Sequence, residues 1–133
     1  MKNVYSIYPA IDPSQLIAKQ SFHGKCVIVT GASRGIGENA ARLFAKTGAS
    51  VVLVARGESQ LVAVERQILK EVPNVQMLKI VLDVTDPTKV EAAIAHIVER
   101  FGAIDVLVAA AGRARLMNTG ALWISAAWRL NYN

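Results

Sequence analysis

The sequence has one cysteine, Cys26, so no internal disulfide can brace it. That cysteine stands within the apolar run Cys26-Val27-Ile28-Val29, where it reads as a small core residue suited to a reducing compartment. No apolar run reaches the ~18 residues that a membrane-spanning helix needs, and the N-terminus lacks the apolar core of a signal peptide. A soluble, cytoplasmic protein without a membrane partner is therefore expected. Lys plus Arg exceed Asp plus Glu by 15 to 10, yet the cations are scattered and form no basic block, which argues against nucleic acid. No metal site is expected. What the chain has in quantity is apolar side chain, 53% of 133 residues, enough for one domain with a buried core.

Residues 1–23 show little periodicity and read as an arm before a domain spanning 24–133. Within the arm, Asp12-Pro13-Ser14 is placed to cap a short helix through Gln20, and Phe22 to anchor the arm on a sheet edge. Beyond it, apolar runs alternate with helical periodicities. Cys26-Val27-Ile28-Val29, Val51-Val52-Leu53-Val54, Met77 to Leu82 and Ile104 to Ala109 read as strands buried in a parallel sheet. Between them, three stripes predict helices: Ile36, Ala40, Leu43, Phe44 and Thr47, stopped by Gly48; Leu61, Val64, Ile68, Leu69 and Val72, ending before Pro73; and Val90, Ile94, Ile97, Val98 and Phe101, stopped by Gly102. Four strands alternating with three helices imply an α/β, doubly wound, Rossmann-like parallel sheet.

Between the first strand and the first of these helices lies Thr30-Gly31-Ala32-Ser33-Arg34-Gly35-Ile36-Gly37. Glycines at this spacing let the backbone turn sharply, approach an anion, and pack the helix close to the strand. The helix N-terminus then offers unpaired N–H groups and the positive end of its dipole to a pyrophosphate. The turn lacks the Lys-Ser/Thr ending of a P-loop, and its glycine order differs from Gly-x-Gly-x-x-Gly and from the Gly-x-x-Gly-x-x-Gly of sugar-nucleotide epimerases.

This octapeptide resembles that of the short-chain dehydrogenase/reductase family, and the resemblance extends from about Phe22 to the C-terminus. It implies strand order 3-2-1-4, with a dinucleotide over the carboxyl ends of the strands. The positions it places there are Thr30, Gly31, Ser33, Arg34, Gly35, Ile36 and Gly37 after strand 1, Arg56 after strand 2, Asp83 and Val84 after strand 3, and Ala110, Ala111 and Gly112 after strand 4. At the end of strand 2 an NAD site usually offers a carboxylate to the ribose hydroxyls, whereas this chain reads Val54-Ala55-Arg56-Gly57. Arg34 and Arg56 can instead bind a 2′-phosphate, so NADP is favoured over NAD; two solvated surface arginines are the alternative. Asp83 matches the family's acidic residue beside adenine, with helix capping as its other reading. Asp86, before Pro87, reads as an N-cap.

Two departures from the family pattern bear on activity. Ala109-Ala110-Ala111-Gly112 stands where the family has Asn-Asn-Ala-Gly, so backbone contacts survive there and side-chain bonds do not. The Ser and the Tyr-x-x-x-Lys pair of the family are missing: Pro9 follows Tyr5 by four, Asp12 follows Tyr8, and Tyr132 is next to last. Asn131, in Trp128-Arg129-Leu130-Asn131, is a candidate for the Asn that keeps a water in the family's proton relay, with Asn133 a competitor. The chain is thus expected to be the cofactor-binding N-terminal half of an NADP-dependent oxidoreductase acting on a small-molecule carbonyl or alcohol, as from a truncated gene model. A non-catalytic dinucleotide-binding or dimerising module is the alternative. The strand Ile104 to Ala109 would be an exposed edge in such a half, inviting homo-oligomerisation.

Overall fold

All four apolar runs become parallel strands in the computed structural model, which describes residues 13–110. The order along the chain is α1 (Ser14–Ala18), β1 (Cys26–Thr30), α2 (Gly35–Lys46), β2 (Ser50–Ala55), α3 (Glu58–Glu71), β3 (Met77–Val81), α4 (Pro87–Phe101) and β4 (Val106–Ala109). The sheet runs β3-β2-β1-β4, as expected, with Val27 opposite both Val51 and Val106, and Val51 opposite Met77. Because every strand runs the same way, the turns that follow them gather at one end.

Strand side chains alternate between two cores, which is why β1 and β2 are apolar throughout. Ile28, Val52 and Val54 pack with Val90, Ile94 and Ile97 of α4 on one face. Val27, Val29, Val51 and Leu53 pack with Ala41 and Ala45 of α2 and Leu61, Val64 and Ile68 of α3 on the other. Burying each such Val, Leu or Ile contributes ~1.5–3 kcal/mol, so the two central strands carry much of the fold's stability. β4, with a neighbour on one side among the described residues, has Val106, Leu107 and Val108 only half-buried.

Several boundaries and faces differ from the sequence expectation. The buried stripe of α2 is Gly37, Ala41 and Ala45, not one led by Ile36, which is 80% exposed. Small residues win that face because the helix lies too close to the sheet for large ones. On α3, Leu69 is exposed while Leu61, Val64 and Ile68 face the sheet. β3 ends at Val81 and β4 starts at Val106, so Leu82, Ile104 and Asp105 lie outside the strands. Asp105 instead brackets the start of β1: its Oδ2 accepts from the Cys26 amide at 2.8 Å, and its own amide donates to the Cys26 carbonyl at 2.9 Å.

The segment before β1 also departs from expectation. α1 stops at Ala18 with Pro13 at its N-cap, and Gln20 takes a positive φ of 50° that ends helical propagation. Asp12, expected to take part in the cap, lies outside the described residues. Phe22 docks on α2 and not on a sheet edge: its ring meets Phe44 edge-to-face at 5.1 Å, and its amide donates to the Thr47 carbonyl at 3.1 Å. Gln20 Nε2 adds a bond of 2.9 Å to the Lys46 carbonyl, satisfying an acceptor at the α2 C-terminus.

Candidate functional site

Three backbone hydrogen bonds tie the post-strand turns to neighbouring strands at the carboxyl end of the sheet. Ala32 N donates to Val54 O at 3.1 Å, Leu82 N to Ala55 O at 3.1 Å, and Ala110 N to Thr30 O at 3.2 Å. They bring the Gly31 to Gly37 turn, Arg56, Asp83 and Ala110 to the same end of the molecule. Ala111, Gly112 and Asn131 lie outside the described residues.

The glycine turn fits an anion in its local geometry. Thr30 is buried and its Oγ1 donates to the Val108 carbonyl at 3.4 Å, so it braces β1 against β4 and does not face solvent. Gly35 has φ +60°, and a Cβ there would meet open space, so its glycine answers to backbone conformation. Gly37 is the reverse case: a Cβ would overlap the Gly31 carbonyl, with the Gly31 carbonyl carbon at 2.8 Å. Close packing thus aims the start of α2 along the end of β1. Arg34, the N-cap, has extended backbone and gives no side-chain cap to the helix. The first-turn amides of α2, like those of α3 behind Gly57, thus receive no hydrogen bond from an N-cap side chain. α4 makes the contrast, since its N-cap Asp86 accepts from Thr88 N at 3.1 Å and Lys89 N at 3.4 Å, with Pro87 in the first turn. Asp86 therefore caps, as its sequence position implied.

Arg34 and Arg56 are both exposed, as is Ile36. Asp83 is exposed between two buried neighbours, Leu82 and Val84, whose side chains enter the core around α4. Val84 can therefore reach a ligand only through its backbone. Asp83 does not cap α4; its Oδ1 accepts from Thr85 Oγ1 at 2.7 Å and from Thr85 N at 2.9 Å. The hydroxyl bond first, then the amide bond, hold the Asp83 carboxyl below its ordinary pKa. Desolvation opposes this, while the charges of Arg56 and Lys89 reinforce it. Thr85 was not singled out by sequence, although an Asp two residues before a Thr is the spacing of an Asx-type turn.

A separate groove of about 410 Å³ lies between α2 and α3, lined by Ser33, Glu38, Arg42, Gln60, Ala63, Val64 and Gln67. Its charges answer one another: Arg42 Nη2 sits 3.3 Å from Glu38 Oε1, and Arg42 Nε, in ion-pair but not hydrogen-bond range, 3.6 Å from Glu71 Oε2. Lys46 Nζ, 3.5 Å from the same Glu71 oxygen, balances the second carboxylate, and half-solvated pairs of this kind stabilise by only ~0–1 kcal/mol. Among the described residues no cluster of His, Cys, Asp and Glu could hold a metal, and no helix is long and apolar enough to cross a membrane.

With this geometry in place, the comparisons with known proteins are specific. Residues 25–130 match the family described as short chain dehydrogenase. A short chain dehydrogenase of Monascus purpureus is 44% identical over 107 residues, which are 76% of this chain and 36% of that protein. A metagenomic short-chain oxidoreductase solved in complex with NADP is similar in structure, with TM-score 0.72 and 30% identity over 80% of this chain and 56% of its own. L-Sorbose reductase of Gluconobacter frateurii, solved with NADPH and L-sorbose, gives TM-score 0.75 and 27% identity over 85% of this chain and 49% of its own. The chain thus spans about a third of that curated relative and about half of those solved structures.

Proposed function

The chain belongs to the short chain dehydrogenase family, and from that premise we propose that it is the dinucleotide-binding part of an NADP-dependent oxidoreductase. The observation that carries the cofactor reading is Arg56, exposed directly after β2 where an NAD site would offer a carboxylate. The residues fit the group. Amides at the start of α2 take the pyrophosphate, the backbone at Gly35 leaves it room, and Arg34 and Arg56 bind the 2′-phosphate. Asp83 accepts from the adenine amine, and Thr30, through its bond to Val108, keeps β4 and the following Ala110 beside the glycine turn.

When bound, the nicotinamide gives or takes the hydride exchanged with a small-molecule carbonyl or alcohol. This chain's own part is to hold and orient the dinucleotide, since its 133 residues include no Tyr-x-x-x-Lys to move the substrate proton. Asn131 is proposed to keep a water in that relay.

Calorimetric titration with NADP and NAD at two salt concentrations tests the cofactor reading. NADP should bind at least about tenfold more tightly at low salt, with the advantage reduced by salt and removed in Arg34→Ala/Arg56→Ala. Equal affinities in the unaltered chain would overturn the preference, and no binding of either would overturn the site.

A further inference from the structure

We propose that Thr85 is a positioning residue that fixes the Asp83 carboxylate for recognition of the adenine amine. The inference deepens the reading of Asp83 given above and rests on it. Both donors of Thr85, its amide and its hydroxyl, go to one oxygen, Oδ1, at 2.9 and 2.7 Å. A carboxylate held twice through one oxygen loses its freedom to rotate, and Oδ2 becomes the acceptor open to a ligand.

The backbone beneath is also pinned. Leu82 and Val84 are buried on either side, Leu82 N donates to Ala55 O, and Asp86 N donates to the Asp83 carbonyl at 3.1 Å. An exposed carboxylate on a fixed stem next to the end of β2 is a preorganised acceptor, one whose ordering cost is met before the ligand arrives. Its two bonds also favour the ionised form, the form that only accepts. Adenine presents an amine donor to such a group, whereas hypoxanthine presents a carbonyl oxygen that an anion repels. Base preference is therefore the property that Thr85 should control.

The test titrates the full chain with NADP and with its hypoxanthine analogue, following thermal unfolding alongside. Thr85→Val, which keeps the shape and removes the hydroxyl, should cut the preference for adenine by about tenfold, while Thr85→Ser should retain most of it. A purely structural Thr85 would lower the melting temperature and leave the preference intact, and that result would overturn the proposal. Should Thr85→Val not fold, Thr85→Ala is judged by the same criterion. Asp83→Asn separates the two levels: if it loses the preference and Thr85→Val keeps it, only the role of Thr85 falls. If both keep it, the adenine reading of Asp83 falls as well.

Discussion

Gly37 lies against the carbonyl of Gly31 so closely that any side chain at residue 37 would overlap it, and the Ala32 Cα stands 3.3 Å from where the Cβ would be. Two effects oppose each other in Gly37→Ala. Helix propensity favours Ala by ~1 kcal/mol, but the obstructing atoms are backbone and cannot rotate away, and overpacking of this kind costs ~1–3 kcal/mol. The overlap should win. We expect Gly37→Ala to lower stability by ~1–2 kcal/mol and to weaken dinucleotide binding further by tilting the start of α2. Chemical denaturation and NADP titration measure the two effects, and a variant as stable and as tight as the parent would contradict this account.

Asp86 and Asp83 stand three residues apart and should respond differently to the same substitution. Asp86→Ala removes the side-chain acceptor of two first-turn amides of α4 and should cost ~1 kcal/mol of stability with little effect on dinucleotide affinity. Asp83→Ala should do the reverse, since its partner Thr85 is exposed and can turn to water. A denaturation curve and an NADP titration on each variant would expose an error if the two patterns were exchanged.

The strands were legible because parallel strands covered on both faces must be apolar throughout, as Val27 to Val29 and Val51 to Val54 are, whereas their order came from the family resemblance. Caps were legible where a residue type has one dominant use, as with Asp86 before Pro87 or Gly48 after α2. The face of α2 was not, because a search for large apolar residues passes over Gly37, Ala41 and Ala45, which are buried because they are small. Strand ends at Leu82 and Ile104 were misread because hydropathy reports burial and not pairing. Phe22 was assigned to the wrong surface, since a lone aromatic does not name its partner. At the site, residue types pointed to Arg34 and Arg56 and the family resemblance to Asp83, but the two bonds that Thr85 gives Asp83 need three-dimensional distances.

Burial first, and the charge of Asp105 second, push the Cys26 thiol up to about 11 from its ordinary 9.0. The unfolded chain therefore loses this proton near pH 9.0 while the folded chain keeps it until about 11. Its contribution to stability is full below the lower value and is lost as pH rises through the upper one, a change on the order of 2 kcal/mol. Comparing the parent with Cys26→Ala isolates it from other alkaline titrations. The parent's stability should fall more steeply than the variant's across this window, and parallel curves would show that Cys26 does not titrate as its surroundings imply.

The last expectation concerns turnover. Hydride moves to or from a nicotinamide readily when the substrate oxygen gains or loses a proton in the same event, and the family manages that proton with Tyr and Lys. Tyr5, Tyr8 and Tyr132 have no Lys four residues on, and an amide such as Asn131 does not titrate near neutral pH. Losing general acid–base catalysis costs ~10²–10⁴-fold, and losing substrate positioning adds to that deficit. The 133-residue chain should therefore bind NADPH without oxidising it, while addition of a C-terminal half from a family member should restore some turnover. The check is NADPH consumption with a panel of ketones, aldehydes and quinones, using monodisperse protein and a Gly35→Asp variant in which an added carboxylate repels the pyrophosphate. Turnover by the chain alone, abolished in Gly35→Asp, would mean that these residues hold a complete proton-transfer apparatus built from other groups.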